Sequence, residues 1–293
     1  MEHFKRKKQS GSLFVLCVVA PVILYFAIFY YIPFFLNFVY AFCEYDYLQP
    51  PKWVGLKNVA RFLEDPNAWL AILNVFKIAL VCVPLILAFS LLIAAILFQL
   101  KRGKTFFRSC IFATFLTPNV VAAIVFKSLF GEERGFINSF LMRLGLEKIP
   151  WFTTPGGAMA TIMIVTVWNA IGYYMVILLA GLSGISPALY EAATIDGANS
   201  VQKFWRITIP QLKNSLIFCL IICTLGCLKA YSIVLVLTAG GPYGSTRTVL
   251  MEIFDQGINY GNVGYASVLA VFMAIIMMTI SIVQLRVTKE NEE

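Results

Sequence analysis

Six apolar runs, each long enough to cross a bilayer as a helix, take up most of this chain and leave little room for another architecture. They fall at about Leu13–Ala41, Ala68–Leu100, Phe106–Phe130, Gly156–Leu182, Ser215–Ala239 and Gly264–Leu285. About 20 consecutive apolar residues span the hydrocarbon core. Inside that core every backbone N–H and C=O must be satisfied, which a helix does within itself. Composition agrees. Of 293 residues, 60% are hydrophobic and 13% charged, against about half and about a quarter in soluble domains. The expected class is an all-α membrane protein of six transmembrane helices, forming one domain over residues 1–293. Pro21, Pro33, Pro84 and Pro118 fall where they kink helices or mark their ends.

Charge sets orientation. Lys5-Arg6-Lys7-Lys8 precede the first run. A signal peptide has such a basic start, but its apolar region is only about 7–15 residues. This run is longer, so it reads as an uncleaved first span. With the N-terminus in the cytoplasm, Lys101, Arg102, Lys104, Arg108, Lys203, Arg206, Lys213, Arg286 and Lys289 also lie inside. Outside are Lys52, Arg61, Arg134, Lys148 and Arg247, diluted by Glu64, Asp65, Glu132 and Glu133. The formal net charge of +8 thus reflects retention of basic residues on the cytoplasmic side and not nucleic-acid binding. An even number of spans returns the C-terminus to the cytoplasm. In the outer loops, Gly135–Gly145 reads as a short amphipathic helix at the interface. Tyr30, Tyr31, Trp53, Trp69, Trp151 and Tyr260 form an aromatic belt.

The residues exclude several chemistries. Cys17, Cys82, Cys110, Cys219, Cys223 and Cys227 lie in apolar segments, and the last three share one helix face at four-residue spacing. A metal site needs histidine or further thiolates nearby, and His3 in the tail is the chain's one histidine. Small buried side chains at helix contacts are the reading. Cys43 alone is near an outer surface, so no disulfide framework follows. No Asp or Glu falls within the six spans, which argues against a proton-coupled carrier. No Walker-type phosphate loop and no nucleophile–base pairing occurs, so neither ATP hydrolysis nor an enzyme is indicated.

A patterned cytoplasmic loop, about 184–213, stands out against this background. Ser186 suits an N-cap and Pro187 the first helical position. A helix then runs to about Asp196, and Gly197 suits its end. A second helix starts near Ser200 and ends by Pro210. Ala192, Ala193, Gly197 and Ala198 offer a surface that another protein can approach closely, with Glu191, Asp196, Lys203 and Arg206 pairing at its rim. An amphipathic loop lying on the membrane is the alternative.

Glu191-Ala-Ala-x-x-x-Gly197, continuing to Ile207-x-x-Pro210, resembles the EAA loop of binding-protein-dependent ABC importer permeases. Leu182–Ala198, Val54-Gly-Leu-Lys-Asn58, Gly135-Phe-Ile-Asn138 and Leu237-Thr-Ala-Gly-Gly-Pro242 resemble the sugar-importer branch, and within it the maltose and glycerol-3-phosphate type of first subunit. The resemblance covers nearly the whole chain. It implies a type I ABC importer permease in a bacterial inner membrane, with no cofactor of its own. It further implies a second permease subunit in a heterodimer, two ATPase subunits that bind ATP and Mg, and an extracytoplasmic solute-binding protein. Lipid is a partner; nucleic acid is not. Glu191, Ala192, Ala193, Asp196, Gly197 and Ala198 would carry the contact with the ATPase.

Two spans carry polar residues near mid-depth, where transporters bind substrate. Asn169, Gly172 and Tyr173 share a face of the fourth. Gly226, Lys229 and Ser232 share a side of the fifth. The sugar-binding stretches of the resembling subunit coincide with these, and Cys227 and Ala230 lie beside them. For Asn169 and Tyr173, helix–helix hydrogen bonding and packing is an equal alternative. Lys229 is about ten residues from the outer end, roughly 15 Å deep at 1.5 Å per residue, too far to snorkel easily. An intramembrane lysine is functional by default. In many members of the resembling family an acid follows within the next few residues, where this chain has Ser232. The expected cargo is an oligosaccharide, with an acidic sugar or glycerol phosphate as the alternative. Lys77 and Lys127 are nearer the outer interface and read as snorkelling.

Overall fold

The computed structural model describes residues 18–289. Lys5–Lys8, His3, Cys17 and the predicted start of the first span lie outside the described residues. In chain order the elements are α1 (Val18–Tyr40), β1 (Cys43–Glu44), β2 (Lys52–Trp53), α2 (Lys57–Glu64), α3 (Pro66–Gln99), α4 (Lys104–Leu116), α5 (Asn119–Leu129), α6 (Phe136–Arg143), α7 (Pro155–Ser183), α8 (Pro187–Ile195), α9 (Ser200–Gln211), α10 (Lys213–Leu228), α11 (Ser232–Leu237), α12 (Val249–Phe254) and α13 (Val263–Lys289). Four helices are individually long and apolar enough to cross a membrane: α1, α3, α7 and α13. The pairs α4–α5 and α9–α10 qualify only as bent spans, with bends of 94° and 68°.

The first of these bends falls at Pro118, where a kink or a helix end is expected. The run Phe106–Phe130 turns at Thr117-Pro118. Proline has no N–H to continue the ladder, and it drives the preceding residue out of helical geometry; Thr117 accordingly sits at φ −72°, ψ 120°. The run Ser215–Ala239 also stops early, because α10 ends at Leu228 and helix resumes only at Ser232. Pro84, by contrast, lies within an unbroken α3.

Two compact units can be distinguished, one of residues 18–65 with 253–272 and one of 66–252 with 273–289. In the first, none of the residues of α1 is fully buried. The chain then turns through the β1–β2 hairpin, where Cys43 pairs with Trp53 and Glu44 with Lys52. Asn58 closes the hairpin by donating to the carbonyls of Ala41 (3.1 Å) and Cys43 (2.8 Å). Gly264 is required beside it, since an added Cβ would stand 2.0 Å from the Cys43 carbonyl oxygen. Arg61 stacks over the Tyr265 ring at 4.1 Å, and the Tyr265 hydroxyl donates to Asp65. Cys43 is buried, not surface-facing.

In the second unit, α7 packs along α3 and α4, α10 along α3, and α11 against α5. The α3 seam is Ala71, Val75, Ile78, Cys82, Ile86 and Ala94, at helical spacing and all buried. Cys219 and Cys223 are buried as predicted, but Cys110 is exposed on α4, a helix none of whose residues is buried. The loop from α11 to α12, which contains Leu237–Pro242, is held by Asn74 of α3, whose amide donates to the carbonyls of Gly244 and Arg247. Thr238 and Thr246 share a hydrogen bond of 2.8 Å, and the Thr246 hydroxyl donates to the Gly241 carbonyl. Buried Glu252 pairs with Arg247.

The loop between α5 and α7 contains the predicted short helix, α6, and is clamped by Asn138. Its amide donates to the carbonyls of Glu132 and Ile149 while its carbonyl accepts from the Ile149 N–H and the Trp151 indole. Gly135 starts this motif because a Cβ there would lie 2.2 Å from the Gly131 carbonyl. Asn138 is fully buried, so Asn138→Ala orphans several polar groups at once. At about 1–3 kcal/mol for each unsatisfied group, the variant is expected to lose at least about 2 kcal/mol locally, read as early loss of the Trp151 fluorescence signal on heating. A coincident melt would show the clamp to be dispensable.

Glu132 completes the loop. Partial desolvation raises its pKa, but the N–H groups of Phe152 and Thr153 and the Thr153 hydroxyl outweigh it and hold the carboxyl below its ordinary value. A depressed folded pKa contributes stability above the unfolded value that is lost as pH falls through the folded one. The loop is therefore expected to hold from neutral pH through the ordinary carboxylate range and to loosen only below it. Trp151 fluorescence titrated in wild type and Glu132→Gln checks this, and a transition confined to pH above 5 would contradict it.

Candidate functional site

Two places have functional geometry, and both lie within the second unit. The first is the patterned loop of α8 and α9. Pro187 starts α8 as expected, though Ser186 takes the N-cap position by backbone conformation alone, without a side-chain bond. At the other end Gly197 adopts φ +76°. Its N–H donates to the Thr194 carbonyl, and the Ala198 N–H reaches back to Ala193. This is the left-handed glycine ending that satisfies the last carbonyls of a helix. Asn199 then caps α9 through a reciprocal pair with Gln202, the Asn199 side chain accepting from the Gln202 N–H and the Gln202 side chain from the Asn199 N–H.

The two short helices are fixed to each other by side chains. The Tyr190 and Thr208 hydroxyls hydrogen-bond at 3.0 Å, and the Lys203 ammonium donates to the Thr194 hydroxyl at 2.7 Å. Lys203 thus pairs with a hydroxyl, and the rim ion pairs expected among Glu191, Asp196, Lys203 and Arg206 do not form among the described residues. Glu191, Ala192, Asp196, Gly197 and Arg206 are exposed, and Ala193 and Ala198 half-buried. Between the arms is a concavity of about 370 Å³ lined by Ala193, Asp196, Gly197, Ala198, Gln202, Lys203, Arg206 and Ile207. Around it Ile195 is 86% exposed, Val201 66% and Trp205 64%. These three apolar side chains were not singled out from sequence, because an apolar residue in a mostly apolar chain carries no signal of its own.

The second place is a cavity of about 210 Å³ among α3, α5, α7, α10 and α11. Of the sequence-predicted residues, Asn169, Gly226, Cys227, Lys229, Ala230 and Ser232 line it. They meet because α10 ends at Leu228, which sets Lys229, Ala230 and Tyr231 in a non-helical step. Gly226, Lys229 and Ser232 therefore come together across a break and not along one continuous helix face. Gly172 and Tyr173 are elsewhere. A Cβ on Gly172 would stand 2.5 Å from the Ile111 carbonyl, so this glycine admits α4 against α7. Tyr173 lies against the Phe115 ring at 4.7 Å. Asn169 has a structural task as well, since its amide donates to the carbonyls of Thr114 and Thr117 at the α4–α5 bend. Asn119, Thr166, Tyr174 and Tyr231 complete the polar lining. The residue after Pro118 was a signal for Asn119 that the sequence reading passed over. Among the described residues no group of three His, Cys, Asp or Glu side chains is arranged to hold a metal ion.

The family described as "binding-protein-dependent transport system inner membrane component" matches residues 86–289, which include both places. The chain is 33% identical to the "Probable ABC transporter permease protein YesP" of Bacillus subtilis, over 95% of its own length and 91% of that protein's. It is 33% identical to the "Sulfoquinovosyl glycerol transport system permease protein SmoG" of Agrobacterium fabrum, over 83% and 79%. A crystal structure of a bacterial ABC transporter involved in the import of the acidic polysaccharide alginate superposes with a TM-score of 0.86, at 21% identity over 99% of each chain, and so shares the fold. The chain belongs to the family of binding-protein-dependent transport system inner membrane components, and is a membrane transport permease, not an enzyme.

Proposed function

We propose that this chain is one of two permease subunits of a bacterial importer that carries an oligosaccharide into the cytoplasm, driven by ATPase subunits docked on the α8–α9 loop. The carrying observation is that loop: a concavity walled by small side chains, ringed by exposed Ile195, Val201 and Trp205 and by charges without ion partners among the described residues. Exposed apolar side chains beside a preformed concavity mark a protein interface. The heterodimeric partner is supported by the mid-depth cavity. At about 210 Å³ it falls short of the roughly 300–1,000 Å³ of ligand pockets, as half of a shared site would. Two similar proteins are named for sulfoquinovosyl glycerol, a sugar joined to glycerol, and for the polysaccharide alginate, which supports a saccharide cargo here. In this reading six spans place both termini in the cytoplasm, a solute-binding protein delivers cargo from outside, and ATP and Mg bind to the ATPases. The whole chain acts as one permease domain. Asn169, Gly226, Cys227, Lys229 and Ser232 form this subunit's part of the pathway; Gly172 and Tyr173 shape it from behind by holding α4.

ATP hydrolysis by the purified complex in lipid, with its binding protein and a panel of saccharides, tests the proposal. Stimulation by one saccharide supports it. Saccharide uptake by the chain with no ATPase bound would overturn it.

Gly197 offers a sharper test. Its φ of +76° is one that other residues adopt at a cost, while an added Cβ would meet nothing within 4 Å of this chain. Asn tolerates the left-handed region better than other side chains. Gly197→Asn is therefore expected to express and fold normally yet lower ATP-driven uptake at least about tenfold, because its side chain enters the ATPase contact. Gly197→Pro is expected to abolish uptake. Normal coupled uptake in both variants would remove the docking role.

A further inference from the structure

We infer that Lys229 makes the pathway selective for a saccharide bearing a negative charge, with its ammonium receiving the cargo's anionic group; this rests on the reading of the mid-depth cavity as the pathway. Lys229 is exposed to the cavity at the break after α10. Every other polar group lining the cavity is neutral: asparagine, threonine, tyrosine, serine and cysteine, with no carboxylate among them. Nor is Lys229 paired with an acid among the described residues. The carbonyls at the C-terminal end of α10 offset its charge in part, since a helix terminus carries about half an elementary charge. That suffices to hold an ammonium in place and leaves the cavity with net positive potential.

Lys127 shows how this chain settles a lysine that has no such task. Its ammonium donates at 2.9 Å to the Val236 carbonyl in the last turn of α11. Lys229 makes no side-chain hydrogen bond of that kind among the described residues; its backbone N–H alone is bonded, to Leu225 and Gly226. Space is kept beside it, because an added Cβ on Gly226 would meet nothing within 4 Å. Ser232, three residues on and lining the same cavity, is neutral and short. A carboxylate there would stand where it could neutralise the ammonium, and this chain has a hydroxyl instead. An unneutralised cation favours an anionic over a neutral ligand, the more so the less water shares the site.

The test uses the assembled importer with its second permease, ATPases and binding protein in liposomes. The probes are a uronate trisaccharide and its carboxyl-reduced neutral counterpart. ATP-driven uptake is measured for both, and calorimetric binding to the importer without the binding protein removes that protein's own selectivity. The expected result is at least about tenfold lower KM and tighter binding for the uronate. Lys229→Gln and Ser232→Asp should each erase the difference, while Lys229→Arg should keep it. Uptake of the neutral trisaccharide at equal or lower KM, unchanged in Lys229→Gln, would overturn the inference and leave the importer reading standing; a counter-ion supplied by the second permease would give this result. If ATP drives the uptake of neither saccharide, the importer reading fails and takes the inference with it.

Discussion

A carboxamide that straddles two backbone carbonyls is the interaction on which the rest of this architecture depends. Asn58 does so at the hairpin, Asn74 at the α11–α12 loop, Asn138 in the α5–α7 loop and Asn169 at the α4–α5 bend. The reason is solvent. Where a chain leaves helical geometry in or beside lipid, its carbonyls lose their partners and find no water to replace them. An Asn side chain carries two N–H donors on one planar group, enough for two stranded carbonyls. Each clamp satisfies carbonyls that an irregular segment leaves without helical partners. Asn169 is the instructive member: it satisfies the Thr114 and Thr117 carbonyls at the 94° turn by Pro118 and also lines the cavity.

The same observation accounts for several of the motifs by which the chain resembles its family. Val54–Asn58 ends in the hairpin clamp, Gly135–Asn138 in the α5–α7 loop clamp, and Leu237–Pro242 forms the turn that Asn74 grips. The glycines in these motifs are required by close approach, most plainly Gly135 against the Gly131 carbonyl. The motifs are thus mainly structural, and what differs between members of such a family should be sought elsewhere, in cavity residues such as Ser232.

Much was legible before any coordinates. Apolar runs located every long helix, because membrane helices announce themselves by length and composition. Gly197 and Pro187 marked the ends of α8, because helix termini demand particular backbone angles. The breaks were harder to read. Pro84 and Pro118 look alike in sequence, yet only the second bends its span, since Asn169 is on hand to satisfy the carbonyls freed there and α3 remains continuous on a buried seam. The break at Lys229 has no proline to announce it. The sharing of rim charges also failed, because Lys203 found the Thr194 hydroxyl closer than any carboxylate. Glu252, buried against Arg247, lay outside the spans and carried no pattern.

Both arms of the α8–α9 loop continue directly into the helices that form the cavity. α8 follows α7 after a short connection, and α7 carries Thr166, Asn169 and Tyr174. α9 turns by 68° into α10, whose last residues precede Lys229. At the ends nearest the loop α7 and α10 are seated tightly: a Cβ added at Gly181 would lie 2.8 Å from the side chains of Leu212 and Ser215. The Tyr190–Thr208 and Lys203–Thr194 bonds tie the short helices together just beyond. Loop and cavity are thus joined by continuous helix: over the 16 residues of α10, at 1.5 Å per residue, the chain rises about 24 Å between the close seat at Gly181 and the break after Leu228. Regular hydrogen bonding stops at that break, and the polar lining it brings together contains one charged group, Lys229, and no acid.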